Sequence, residues 1–126
     1  MLGRFSIVTF FALAACGGGG SSSPDAAAID AVASTVVDIT CPATPDATVM
    51  TLDASFVYMP NAVTITVGQV VKVTTSPAHD LAPNLTGSDP GLRVGFNMTK
   101  CLRFTAAGSF GFHCTPHAFT GTITVN

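Results

Sequence analysis

One cysteine and two histidines have the residue types and the spacing of a metal site. Cys114 and His117 enclose a Thr-Pro turn, which is expected to carry the imidazole back towards the sulfur. His79 lies far upstream, in the segment Ser76-Pro77-Ala78-His79-Asp80. Two imidazoles and one thiolate can form the trigonal ligand set of a blue-copper electron-transfer site.

Two other kinds of chemistry use the same residue types. A structural zinc site would need a fourth strong ligand and commonly has more cysteines. A Cys-His nucleophile is the second alternative, with Asp80 orienting His79. A small β-domain offers little cleft for a substrate, so the chain is not expected to be an enzyme.

Composition excludes several classes of function. The chain has 126 residues, of which 10% are charged, and its formal net charge is −2. This balance lacks the basic surface of a nucleic-acid-binding protein. The 3 histidines are too few for a multinuclear copper oxidase.

Short segments with alternating apolar residues predict the scaffold. The alternating positions are Val63, Ile65 and Val67, then Val71 and Val73, Leu102 and Phe104, Phe110, Phe112 and Cys114, and finally Ile123 and Val125. Turns at Gly68-Gln69 and Ala106-Ala107-Gly108 separate some of these segments. The pattern predicts an all-β fold, a β-sandwich or barrel. Phe56, Phe96, Phe104, Phe110 and Phe112 are expected in its core.

The N-terminus has the pattern of an export signal. Arg4 precedes an apolar stretch that is too short to span a bilayer. Leu13-Ala14-Ala15-Cys16 resembles the lipobox of bacterial lipoproteins, so residues 1–15 are predicted to be a signal peptide and Cys16 a lipidation site. A Gly/Ser-rich and then Ala/Asp-rich linker and extension is predicted for residues 16–46.

The remaining residues, 47–126, are predicted to form one domain, and its part from Tyr58 to Asn126 carries a family resemblance. Three segments resemble parts of the cupredoxins, in the plastocyanin and amicyanin group. They are Tyr58-Met59-Pro60-Asn61-Ala62-Val63-Thr64-Ile65-Thr66-Val67-Gly68-Gln69-Val70-Val71, Gly108-Ser109-Phe110-Gly111-Phe112-His113-Cys114-Thr115-Pro116-His117 and Gly121-Thr122-Ile123-Thr124-Val125-Asn126. The resemblance implies a Greek-key β-sandwich. It also implies one type 1 copper held by His79, Cys114 and His117, and a partner protein that docks near His117.

The sequence departs from the family at the axial position and after the first histidine. No Met follows His117. Ligand spacing places Thr120 at the family's axial position, whereas strand register places Phe119 there and is preferred. Met59 and Met98 are interpreted as packing or rim residues. Asp80 stands where the family often has Asn, and it is either a bridge between the ligand loops or a solvated acid.

Cys41 and Cys101 remain once Cys16 is assigned to the lipid and Cys114 to copper. In an exported protein a disulfide between them is expected. Cys101 is predicted on the strand face that points away from the core. His113 is predicted to be a surface residue, because strand alternation directs it away from Cys114.

These patterns together predict a type 1 copper protein that carries one electron outside the cytoplasm. A lipid at Cys16 would attach it to a membrane, on the periplasmic or cell-surface side. The alternative is a protein that captures or delivers copper without electron transfer. A copper-free structural domain is disfavoured because all three strong ligands are present.

Overall fold

Alternating burial along eight short strands produces two facing sheets. The computed structural model describes residues 33–86 and 88–126. The strands are β1 (Val36–Ile39), β2 (Ala47–Met50), β3 (Ala62–Ile65), β4 (Val70–Thr74), β5 (Ala82–Pro83), β6 (Thr99–Phe104), β7 (Gly108–His113) and β8 (Thr120–Val125). Among the described residues there is no helix, and so none that is long and apolar enough to cross a membrane.

Each sheet has four strands. The first has the order β1-β6-β4-β2, in which β2 runs parallel to β4 and the other pairs are antiparallel. The second has the order β3-β8-β7-β5, in which β3 runs parallel to β8. The predicted all-β sandwich is confirmed for the described residues.

The core lies between the two sheets, and its residues alternate along each strand as a half-buried strand requires. Central members of this core are Val71, Val73, Leu102, Phe104, Phe110, Phe112 and Ile123. Gly121 is needed on β8, because a Cβ atom there would lie 2.4 Å from the ring of Phe112. The ring of Phe112 occupies the space that a side chain at position 121 would need.

The sandwich begins earlier in the chain than the expected boundary at residue 47. Strand β1 lies within the segment 16–46, and it pairs with β6 from Val36 opposite Phe104 to Ile39 opposite Cys101. The extension therefore supplies an edge strand. The predicted signal peptide, Cys16 and residues 16–32 of the predicted linker lie outside the described residues.

Three apolar residues expected to be inside are exposed. Val67 is 49% exposed, because β3 ends at Ile65 and Val67 belongs to the turn that follows. Phe56 and Phe96 are 63% and 47% exposed. Both lie in connections between strands, where the alternation rule does not apply. The expected core positions of Phe104, Phe110 and Phe112 are confirmed.

A disulfide joins Cys41, just after β1, to Cys101 on β6. Cys101 lies outside the central core cluster, as strand alternation predicts, yet it is fully buried. The two cysteines are separated by 60 positions in the chain, so the bond closes a long loop.

Candidate metal centre

Two chain segments bring His79, Cys114 and His117 together at one end of the sandwich. His79 lies in the connection after β4, and Cys114 follows the last residue of β7. His117 lies in the short loop between β7 and β8. A hydrogen bond from the Ala118 N–H to the Cys114 carbonyl, 2.8 Å long, closes this loop into a tight turn.

The potential ligand atoms form a small triangle. His79 Nδ1 lies 3.0 Å from His117 Nδ1, and Cys114 Sγ lies 3.6 Å and 3.8 Å from these two nitrogens. Ligands bonded at about 2.0 Å (N) and about 2.3 Å (S) to one ion in or near their plane would have separations of this size. The triangle therefore has the dimensions of a three-coordinate metal site.

The donor chemistry also fits a metal. Two imidazole nitrogens and one sulfur, all of which carry lone pairs, face one another. The side chains of His79 and Cys114 are fully buried. The other ring nitrogen of His79, Nε2, is buried without a hydrogen-bond partner, so Nδ1 is the atom through which this ring can act. In the described part of the chain no further His, Cys or carboxylate joins the group. A His₂Cys set without a fourth strong ligand suits type 1 copper better than structural zinc.

Burial is the main influence on the Cys114 thiol. It raises the pKa of Cys114, because a thiolate without water around it is costly. The backbone N–H groups of Asp80 and His117 act in the opposite direction, and the negative charge of Asp80 raises the pKa further. A bound cation would favour the thiolate form in this pocket.

Aromatic rings surround the two imidazoles. The ring of Phe119 packs edge-on against His79, with the centroids 5.0 Å apart, and it also contacts Tyr58 at 4.7 Å. Phe56 packs against His117 at 4.9 Å and against His79 at 5.7 Å. The sequence did not predict that Phe56 contacts these histidines, because Phe56 lies in an irregular connection where no alternating pattern indicates the direction of a side chain.

The two candidate axial residues have different surroundings. Phe119 is partly buried against the core and contacts a member of the triangle. Thr120 is exposed on β8, opposite His113, and lines a shallow surface groove with Asn84 and Ala118. Phe119, the residue chosen by strand register, therefore lies beside the site, whereas Thr120, the residue chosen by ligand spacing, lies in the groove.

Asp80 bridges the two ligand-bearing segments. It is 7% exposed, and its carboxylate accepts hydrogen bonds from the Thr115 N–H at 2.7 Å and the Thr115 hydroxyl at 2.8 Å. Its backbone carbonyl accepts a hydrogen bond from the buried Tyr58 hydroxyl at 2.6 Å. The sequence left open whether Asp80 bridges the ligand loops or is a solvated acid, and in the structure it bridges them.

Three further residues singled out in the sequence are His113, Met59 and Met98. His113 is half-buried and its Nδ1 lies 3.2 Å from Asn84 Oδ1, so it takes no part in the group. Met59 and Met98 are 37% and 43% exposed, which agrees with their interpretation as rim residues.

Comparison with known proteins supports the same architecture. No family model and no curated protein sequence matches the chain. Among solved structures, amicyanin from Paracoccus versutus (Thiobacillus versutus) is similar, with a TM-score of 0.59 and 20% identity over 74% of this chain and 99% of the amicyanin chain. An oxidized single-residue variant of amicyanin and a Cu(I) form of another variant each give a TM-score of 0.57, with 20% identity over 73% of this chain and 99% of theirs.

At this level of identity the likeness establishes the fold. The amicyanin chains are covered almost completely, and the part of this chain that aligns with them is a single β-sandwich. The resemblance found in the sequence is therefore confirmed: the described part of this chain is a cupredoxin-fold domain.

Proposed function

We propose that this domain binds one type 1 copper ion and works as a one-electron carrier. The ligands are His79 Nδ1, Cys114 Sγ and His117 Nδ1, and the observation that carries the proposal is the triangle of 3.0, 3.6 and 3.8 Å between these atoms. Copper, when bound, supplies a Cu(II)/Cu(I) couple that takes one electron from a reduced donor protein and gives it to an oxidised acceptor.

A preformed site suits this role. The buried residues His79 and Cys114 hold two ligand atoms rigidly, and the turn closed by Ala118 holds the third. Ligands that do not move between oxidation states keep the reorganisation small during electron transfer. A site built for release of the metal would need a segment that opens.

Phe119 occupies the axial side of the site in this proposal. Its ring contacts His79, and it has no atom that can donate to a metal. An apolar ring also excludes water, which disfavours the more highly charged Cu(II) state. The absence of a thioether ligand is therefore expected to raise the reduction potential.

The partner docks near His117. Unlike the other two members of the triangle, His117 is exposed, and the adjacent Phe56 is 63% exposed. An exposed aromatic ring beside an exposed ligand gives an apolar surface next to the shortest route to the metal. Export by the predicted signal peptide and a lipid at Cys16 would place this surface on the outer side of a membrane.

Redox cycling in the presence of a competitor separates the carrier from a copper-delivery protein. The protein loaded with one equivalent of copper should be reduced and reoxidised repeatedly, with a Cu(I) chelator present, and followed by its visible spectrum. A carrier retains its copper and regains its full absorbance after each cycle. Transfer of copper to the chelator after the first reduction would contradict electron carriage and support delivery.

A further inference from the structure

A buried carboxylate lies between the two segments that carry the ligands. Asp80 directly follows His79, and its carboxylate accepts two hydrogen bonds from Thr115, which directly follows Cys114. Both partners donate to it, so the geometry is satisfied by an ionised carboxylate. An amide at this position would instead turn one donor of its own towards the Thr115 hydroxyl.

No positive side chain neutralises this carboxylate. Among the described residues, Lys100 and Asp38 form the one ion pair, and it lies on strands β6 and β1 of the first sheet. A carboxylate that is 7% exposed and has no cationic partner is costly to bury. Its position beside Cys114 makes a metal cation the natural counter-charge.

The chain itself holds this carboxylate beside the group, because Asp80 follows His79 and its partner Thr115 follows Cys114. A negative charge fixed at this position favours a positive charge at the neighbouring site.

We infer that the Asp80 carboxylate is a fixed negative charge that lowers the reduction potential of the copper site and so opposes the effect of the apolar Phe119. This inference rests on the proposed function. Cu(II) carries one more positive charge than Cu(I), so a nearby anion stabilises the oxidised state more. Asp80 acts through the field at the metal and through the position of Cys114, and it is a positioning residue rather than a ligand.

Replacement of the charge with little change of shape tests the inference. Asp80→Asn keeps both bridges, because the amide oxygen accepts from the Thr115 N–H and the Thr115 hydroxyl can accept from the amide nitrogen. Its midpoint potential should rise by the equivalent of about a tenfold change in relative Cu(II)/Cu(I) affinity, which is about 59 mV for one electron. Asp38→Asn makes the same charge change at an exposed site, and it should leave the potential unchanged because solvent screens it.

A second variant distinguishes charge from disturbance of the loop. Thr115→Val retains the Asp80 charge and removes one of its hydrogen-bond donors, so the charge is less compensated and the potential should fall. Voltammetry of copper-loaded protein, with visible spectra recorded beside it, measures both variants. Opposite shifts in Asp80→Asn and Thr115→Val support the inference. An unchanged Asp80→Asn potential, or a rise in both variants, would overturn it.

Failure of the proposed function gives a different result from failure of this inference. If the parent protein binds no copper through Cys114, the parent itself lacks the visible band, and both ideas are wrong. If the parent is blue and cycles reversibly but the midpoint potential of Asp80→Asn equals that of the parent, only the proposed role of Asp80 is wrong.

Discussion

The ring of Phe119 lies beside the proposed copper ligands, at the position that the proposal assigns to the axial side. It contacts the ring of His79 and the ring of Tyr58, whose hydroxyl is bonded to the backbone of Asp80. The ring is therefore fixed between the core and the site. Because this side chain has no donor atom, a copper ion bound here would have His79, Cys114 and His117 as its three strong ligands.

Phe119→Met should lower the reduction potential, because a thioether stabilises Cu(II) more than Cu(I). The expected fall corresponds to about a tenfold change in relative affinity, or about 59 mV. Thr120→Met is the matched control, since Thr120 is exposed and lines the groove beside His113. Voltammetry that shows a fall in Thr120→Met alone would contradict the assignment of Phe119 to the axial side.

Strand β1 joins the sandwich through two local attachments as well as its pairing with β6. One is the disulfide that joins Cys41 to Cys101. The other is Asp89, whose carboxylate accepts hydrogen bonds from the Ser34 hydroxyl, from the backbone and hydroxyl of Thr35, and from the Gly91 N–H. An edge strand with few core residues depends on such attachments.

Removal of the disulfide should destabilise the fold and leave the copper site intact. Cys41→Ala combined with Cys101→Ala opens a loop with a sequence separation of 60, which lowers the free energy of unfolding by roughly 4 kcal/mol in the chain-entropy model. Urea denaturation measures this loss. The visible spectrum of the copper-loaded variant should match that of the parent. An unchanged unfolding midpoint would contradict the role of the disulfide.

Asp89→Ala should lower stability in a pH-dependent way. Burial works to raise the pKa of Asp89, but the hydrogen bonds from Ser34, Gly91 and Thr35 outweigh it, so the pKa lies below its usual value. The stabilisation is therefore complete above the unfolded pKa and is lost as the pH falls through the lower folded value. Unfolding experiments should show a loss of about 2 kcal/mol at neutral pH, which disappears in strong acid. A loss that is independent of pH would show that the charge of Asp89 is not involved.

At the scale of the whole molecule, we propose that an export signal and a linker precede a small redox domain. Lipidation of Cys16 would keep the domain close to membrane-bound partners and allow it to reach them. Cys16→Ser should therefore move the protein from the membrane fraction to the soluble fraction, with its copper spectrum unchanged. Fractionation of cells that express the parent and the variant measures this. A parent protein that is already soluble would contradict the anchor.

The sequence predicts most of the sandwich, because alternation is a local signal that burial then satisfies. Phe110, Phe112, Ile123 and Val125 lie inside as the pattern indicates. The three proposed ligand positions could be predicted, because Cys114 directly follows a core strand and two histidines complete a His₂Cys set. The exposure of Phe56 could not be found in this way, since its position depends on a loop without a repeating pattern. The start of the sandwich was placed too late, because Pro42 and Pro45 interrupt the pattern after β1.

The visible spectrum of the protein with one equivalent of Cu(II), compared with that of Cys114→Ser, is the most direct test of the metal centre. Cys114 bonded to Cu(II) should give an intense thiolate-to-copper charge-transfer band, which the serine variant lacks because an alkoxide or hydroxyl oxygen has no such transition in the visible range. His117→Ala should weaken or shift the band. A blue band of full intensity in Cys114→Ser, or its absence from the copper-loaded parent, would contradict the assignment of this site as type 1 copper.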